Sequence, residues 1–276
     1  MRHRLPLLAA SIGLILGGTL AAAYPAAATT NQATGGMVQP GGLMELSNGT
    51  RPAVGIPQVA RTTVTSSNWA GYAATGSNGT FNSVSADWVQ PAGNCSGGGD
   101  QYSAFWVGLD GYSSSTVEQT GSEVDCVGRT AEYYAWWEEY PGASVVINHV
   151  VKAGDQFAAS VTFEGNNVFQ IYLHDITQAW SLTTGPKLAA APAARSSAEV
   201  IAEAPSSRSG VLPLANFGTV SFTNAEVNGA PLGSTRPVAI EMQDGSSSVS
   251  VSGLTNNGQN FTATYSGSRQ GRPGPF

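Results

Sequence analysis

The sequence predicts an all-β protein, built as an antiparallel β-sandwich or a closed barrel. Three observations lead to this prediction. Short segments rich in β-branched and aromatic residues recur along the chain, turn-forming residues occupy nearly every gap between them, and helical periodicity is almost absent. Many short strands separated by Gly, Asn, Ser, Asp or Pro are typical of these two architectures.

The first 28 residues have the features of a secretory signal peptide. A basic start is followed by an apolar run over residues 5–23 and by three consecutive alanines at 26–28, which are the small side chains that signal peptidase accepts. A membrane anchor is the alternative, although the run contains glycines and is near the lower length limit for spanning a bilayer. Residues 29–61 have little periodicity and are expected to form a short pro-segment or flexible leader.

Residues 62–266 are expected to form one domain, and residues 267–276 a flexible tail. A single domain is favoured because an all-β sandwich commonly contains about 200–250 residues. Each predicted strand is enriched in apolar, β-branched or aromatic residues and most are bounded by turn formers. In order, the strands are predicted at 69–73, 83–89, 102–109, 116–120, 133–138, 144–151, 156–163, 168–174, 179–184, 199–202, 218–227, 238–242, 248–251 and 260–265. The Ala-rich stretch 188–195 is expected to be a surface loop, because a proline interrupts it.

The charge balance argues against several classes of function. Charged residues make up 11% of the chain, and residues 62–276 contain eight Lys or Arg and seventeen Asp or Glu. This acidic chain has no basic surface for nucleic acid or anionic lipid, and no zinc-ligand spacing, so we expect no metal and no cofactor. Few carboxylates can have a cationic partner, which favours acidic surroundings.

The two cysteines, Cys95 and Cys126, both follow the signal peptide. An even pair in an oxidising compartment predicts a disulfide, with two separate buried thiols as the alternative. The signal peptide and the disulfide therefore predict a secreted, extracellular protein. We expect this protein to be a monomer.

Carboxylates are the best candidates for catalysis. His149 and His174 lie in or at the end of apolar strands, where a structural role is the simpler interpretation. Two acidic groups stand out: Glu138 with Glu139, and Glu199 with Glu203, which period-two geometry places on one face of a strand. The first group could instead end an aromatic core strand at a solvated turn, and the second could lie on a solvent-facing sheet surface. From the residues alone, the chain is a secreted acidic hydrolase or a binding module.

Six short motifs in a fixed order resemble the successive blocks of the glutamic peptidases, the eqolisin family. They are SNWAGY at 67–72, FWVGLDG at 105–111, VEQTG at 117–121, AWWEEYP at 135–141, AEVIAE at 198–203 and FGTVSF at 217–222. Each motif is weak alone, but their order and spacing together are specific. The resemblance implies a lectin-like (concanavalin A-like) sandwich of two curved antiparallel sheets, and an endopeptidase that cleaves proteins or peptides at acidic pH.

The resemblance also implies which residues act. The catalytic glutamine of the family matches Gln119 and its catalytic glutamate matches Glu203; the glutamate would activate a water and the amide would stabilise the oxyanion, without a covalent intermediate. The substrate-binding set is expected to be Trp69, Trp106, Asp110, Trp136 and Glu138.

Two departures and two alternatives accompany this assignment. Tyr134 replaces an acid that the fungal relatives carry, and residues 122–125 are expected to lengthen the turn after Gln119, around Cys126. A β-sandwich glycoside hydrolase would instead need two acids facing the scissile bond, which makes Gln119 dispensable. A lectin-like carbohydrate-binding module would not need Glu203.

Overall fold

The computed structural model describes residues 43–46, 63–185, 187–245 and 247–267. Its regular elements are nineteen strands and two short 3-10 turns, Leu232–Thr235 and Asn256–Gly258. The strands are β1 Thr63–Ser66, β2 Trp69–Thr75, β3 Ser83–Val89, β4 Gln101–Asp110, β5 Val117–Val127, β6 Thr130–Tyr140, β7 Val145–Ile147, β8 Gln156–Gly165, β9 Val168–Asp175, β10 Trp180–Thr183, β11 Lys187–Leu188, β12 Ser197–Glu203, β13 Ser206–Ser207, β14 Gly210–Val211, β15 Thr219–Val227, β16 Ala230–Pro231, β17 Val238–Asp244, β18 Ser247–Val251 and β19 Phe261–Ser266. The all-β prediction is confirmed, and each of the fourteen predicted strands corresponds to one of these. No helix in the described ranges is long and apolar enough to cross a membrane.

The strands form a sandwich of two curved layers. Hydrogen bonding connects the first layer in the order β7, β6, β5, β4, β12, β2, β17, and the second in the order β18, β19, β15, β3, β8, β9, β10. Strand β17 joins the layers, because its first half pairs with β2 and its last three residues pair with β18. Almost every pair is antiparallel; the unpredicted strand β1 pairs with β17 in parallel, with Thr63 opposite Ala239.

Period-two alternation divides the first layer into two different faces. On β4, Phe105, Val107 and Leu109 point into the main core between the layers, where Trp88 of β3 stacks on Phe157 of β8 with ring centroids 5.6 Å apart. Burial of such large apolar side chains stabilises the fold by roughly 1.5–3 kcal/mol each. The other face of the first layer does not line this core and can therefore carry polar residues.

This second face carries three buried tryptophans, and we call it the tryptophan face. Trp69 of β2, Trp106 of β4 and Trp136 of β6 form a separate apolar cluster on it. Met44 joins the cluster and is fully buried. Residues 43–46 thus pack on the folded domain although they belong to the predicted leader; the predicted signal peptide, the rest of the leader and residues 268–276 of the predicted tail lie outside the described residues.

The predicted disulfide is confirmed, but its surroundings differ from the prediction. Cys95 and Cys126 are joined, with their Cα atoms 5.2 Å apart. The predicted turn after Gln119 is wrong, because β5 continues without a break to Val127 and reverses at Gly128, which has φ 63°. The polar residues that suggested a turn are buried on both faces of this strand. The disulfide therefore fixes the far end of the strand that carries Gln119.

Candidate active site

Strand register arranges the tryptophan face in three rows that cross β12, β4, β5 and β6. The rows are Glu203, Ala104, Glu123 and Tyr134; then Ile201, Trp106, Gly121 and Trp136; then Glu199, Gly108, Gln119 and Glu138. Every one of these residues except Tyr134 is buried. Glu203 and Gln119 therefore lie on one face, on opposite sides of the row that contains Trp106.

Glu203 is oriented by a tryptophan. The Nε1 of Trp106 donates a hydrogen bond to its Oε2 over 2.7 Å, and both side chains are fully buried. The indole of Trp106 is in turn held edge-on against Trp69, with ring centroids 4.9 Å apart. A hydrogen bond from a buried N–H favours the ionised carboxylate, which is the form that can accept a proton.

Gln119 is oriented by an acid in the same row. Its Nε2 donates to Oε2 of Glu138 over 2.8 Å, and both residues are fully buried. Burial raises the pKa of Glu138 well above its usual range, and the bond from Gln119 lowers it in part. A primary amide does not titrate, so this arrangement holds a hydrogen-bond donor in place at any pH.

Two glycines make the close packing around these side chains possible. A Cβ at Gly121 would lie 2.2 Å from the carbonyl oxygen of Phe105 and 2.6 Å from Cβ of Trp106. A Cβ at Gly108 would lie 2.9 Å from the Trp106 ring and 3.1 Å from Cβ of Gln119. Gly108 of the FWVGLDG motif and Gly121 of the VEQTG motif are thus required by the packing of Trp106 and Gln119.

Asp110 anchors the segment that leads into β12. Its carboxylate accepts hydrogen bonds from the backbone N–H groups of Arg195, over 2.6 Å, and Ser196, over 2.9 Å. Burial raises the pKa of Asp110, and these bonds lower it. The geometry assigns Asp110 a role in holding the backbone; its predicted contact with substrate stays a prediction.

The alternative interpretations placed the acidic groups in contact with solvent, but the structure buries Glu138, Glu199 and Glu203. Glu199 and Glu203 are fully buried, so the interpretation of a solvent-facing sheet surface is wrong. Burial raises the pKa of Glu199 well above its usual range, with smaller contributions from the charges of Asp110 and Glu118. Glu138 is also fully buried, which excludes a solvated turn at that position.

Trp69 and Trp136 complete the apolar cluster that frames the candidate site. Both are fully buried, and within the described part of the chain the Nε1 of Trp136 has no hydrogen-bond partner. Their predicted contact with substrate stays a prediction. Sequence reasoning missed Glu123 and Asp125, which follow Gln119 on the same face of β5; extending the period-two pattern beyond residue 120 would have identified them.

The chain is similar to known peptidases in both sequence and structure. The model of the peptidase A4 family matches residues 67–265. Aspergillopepsin-2 of Aspergillus niger is 30% identical over 226 residues, which cover 72% of this chain and 78% of that protein. A crystal structure of scytalido-glutamic peptidase with a transition state analog inhibitor has a TM-score of 0.60 and 27% identity, covering 72% of this chain and 98% of the other. SCP-B, a member of the eqolisin family in a complex with the tripeptide Ala-Ile-His, has a TM-score of 0.56 at the same identity and coverage.

Proposed function

Because this chain belongs to the peptidase A4 family, and is therefore a glutamic-type endopeptidase that acts on proteins or peptides, we propose that Gln119 and Glu203 are its catalytic pair. The observation that carries the proposal is the hydrogen bond from Trp106 to Glu203, on the same buried face as the Gln119 amide. One side chain is prepared to accept a proton, and the other to donate hydrogen bonds.

In the proposed reaction, the carboxylate of Glu203 takes a proton from a water molecule, which attacks the carbonyl carbon of the peptide bond. The carbonyl oxygen becomes an oxyanion, and an N–H of the Gln119 amide stabilises it. One N–H of this amide is held by Glu138, and we assign the other to the oxyanion. Glu203 then returns the proton to the leaving amine as the C–N bond breaks.

We also propose that the leader must be removed before substrate reaches this face. Asn68 holds residues 43–46 from both sides: its Nδ2 donates to the carbonyl oxygen of Leu43 over 3.0 Å, and its Oδ1 accepts from the N–H of Glu45 over 2.9 Å. Met44 donates its N–H to the carbonyl oxygen of Gly111 over 3.2 Å and buries its side chain beside Trp69. The disulfide and the features of the first 28 residues support a secreted enzyme, and we propose that it works as a monomer in acidic surroundings.

Hydrolysis of denatured haemoglobin and of a quenched fluorescent peptide, measured between pH 2 and pH 7 on the processed enzyme, tests the catalytic pair. Glu203→Gln keeps the size of the side chain and removes the base, so we expect cleavage to fall to background. Exposed Glu164 supplies the matched control, and Glu164→Gln should retain full activity. Substantial cleavage by Glu203→Gln would exclude the proposed base, and cleavage of a glycoside instead of peptides would favour the glycosidase alternative.

A further inference from the structure

Residues 43–46 of the leader are held on the domain through their backbone. The carbonyl oxygen of Leu43 accepts a hydrogen bond from Asn68 Nδ2 over 3.0 Å, and the N–H of Glu45 donates to Asn68 Oδ1 over 2.9 Å. The carbonyl oxygen of Glu45 accepts from the backbone N–H of Ser67 over 2.9 Å. Bonds to backbone groups do not depend on the side chains of the bound segment, so the same contacts can hold another extended peptide.

One side chain of this segment is buried and the next is exposed. Met44 is fully buried, whereas Glu45 is exposed to solvent. This is the alternation of an extended chain, in which successive side chains point to opposite sides. Met44 lies in the apolar cluster of the tryptophan face. The site therefore selects one side chain of a bound peptide, and an unbranched apolar chain such as that of methionine suits an irregular apolar space.

The site that holds Met44 borders the proposed catalytic base. Trp69, which belongs to the same apolar cluster as Met44, lies opposite Glu203 in the pairing of β2 with β12. The Trp69 ring packs edge-on against Trp106, which donates its hydrogen bond to Glu203. The N–H of Met44 donates to the carbonyl oxygen of Gly111, where a Cβ would lie 3.0 Å from Cη2 of Trp69. A peptide bound in this way therefore lies beside the strand that carries the base.

We propose that this site is a substrate-binding subsite: Asn68 binds the substrate backbone, the cluster around Trp69 accepts one unbranched apolar side chain, and residues 43–46 occupy the subsite as a substrate-like inhibitor. The proposal rests on the proposed function and deepens it, because it names the side chain that the enzyme selects. The competing explanation is a structural segment, in which residues 43–46 stay bound in the active enzyme and only stabilise the fold.

A synthetic peptide with the sequence of residues 41–47, acetylated and amidated, tests the subsite on processed enzyme whose N-terminus lies after residue 46. The peptide should inhibit cleavage of a quenched fluorescent substrate competitively, raising KM without lowering kcat. Norleucine in place of Met44 should keep the inhibition, whereas Met44→Ala or Met44→Asp in the peptide should weaken it by about 10-fold or more, because the buried apolar side chain is lost. Glu45→Gln in the peptide changes an exposed side chain, so this matched control should inhibit as well as the parent peptide.

A change in the enzyme tests the backbone contacts. Asn68→Asp keeps an acceptor for one N–H of the bound peptide and replaces the amide donor by a carboxyl oxygen. The KM for substrate and the inhibition constant of the peptide should rise together, by about 10-fold, with a smaller effect on kcat. If this variant fails to fold, a peptide that is N-methylated at Glu45 gives the corresponding test on the wild-type enzyme, because it cannot donate to Asn68 and should inhibit about 10-fold less well.

Three results would overturn the proposal: a peptide that raises the thermal midpoint without changing KM, equal inhibition by the parent and Met44→Ala peptides, and an active enzyme whose N-terminus precedes residue 43. Binding of the labelled peptide to processed Glu203→Gln, measured by fluorescence polarisation, separates this proposal from that of the catalytic pair. If Glu203→Gln still cleaves substrate while the peptide binds with the expected preference, only the proposed base fails. If Glu203→Gln is inactive and the peptide does not compete with substrate, only the subsite fails.

Discussion

Replacing Trp106 by phenylalanine should move the acidic limb of the pH profile to higher pH. The indole N–H donates to Glu203 over 2.7 Å, and both side chains are fully buried. A hydrogen bond to a charged group contributes about 1.5–3 kcal/mol. Because about 1.4 kcal/mol corresponds to one pKa unit, the ionised base should require a pH higher by about 1–2 units. Phenylalanine keeps an aromatic ring against Trp69.

Trp136→Phe is the matched control for this change. Trp136 is fully buried in the same row as Trp106, but its Nε1 has no hydrogen-bond partner within the described residues. Both variants lose the same indole atoms, so cavity effects should be similar while only Trp106→Phe moves the acidic limb of kcat/KM. Cleavage of a quenched fluorescent peptide, with thermal midpoints recorded at each pH, measures the shift. An unmoved limb in Trp106→Phe, or an equal shift in Trp136→Phe, would refute the reasoning.

Three further changes test the geometry of the site. Gln119→Glu replaces the amide donor by an acid, so kcat should fall by about 10²–10³ with the remaining activity confined to more acidic pH; an unchanged profile would exclude the amide as oxyanion donor. Gly121→Ala brings a Cβ to within 2.2 Å of a backbone oxygen and should lower the thermal midpoint, whereas Gly97→Ala, with open space around it, should not; equal midpoints would contradict the packing argument. Reduction of the Cys95–Cys126 disulfide should lower the free energy of unfolding by about 3–4 kcal/mol in denaturant titrations and reduce activity in part, and alkylation of both cysteines without reduction would disprove the bond.

The sequence predicted the strands well because the information for them is local. Residues 83–88 alternate polar and apolar side chains, and in the structure the apolar ones, Val84, Ala86 and Trp88, are the buried ones. Strand β1, Thr63–Ser66, was missed because it is four residues long and pairs in parallel with a strand more than 170 residues away. The continuation of β5 was missed because small and acidic residues are common in turns, and only burial on both faces makes them strand residues here.

The residues of the candidate site were predicted from the order of the motifs and not from local periodicity. The motifs pointed to Gln119 and Glu203, but residue spacing carries no information on strand register. Glu123 and Glu203 are eighty residues apart, and only the pairing of β4 with both β5 and β12 places them on either side of Ala104. The packing of Met44 on the tryptophan face is likewise a tertiary contact within a segment that has no periodic pattern.

Buried acids on the first layer also determine how stability should depend on pH. Glu118 of β5 is fully buried, and burial, followed by the charges of Asp110 and Glu139, raises its pKa from 4.5 to about 9. The folded chain therefore keeps a proton that the unfolded chain releases above about pH 4.5. The stabilisation linked to this proton is fully present below that pH and is lost as the pH rises toward 9, by about 1.4 kcal/mol per pH unit.

Glu118→Gln should therefore flatten the decline of stability with pH. The glutamine is neutral in both the folded and the unfolded chain, so the contribution of this position to the slope disappears, whatever the variant costs in packing at acidic pH. Denaturant titrations at pH 4, 5, 6 and 7 measure the slope, and Glu164→Gln removes an exposed acid as the matched control. Equal slopes in wild type and Glu118→Gln would show that the folded protein does not hold a proton at this position. Glu118 would then have to be ionised in the folded state, and the preference for acidic surroundings would need a different origin.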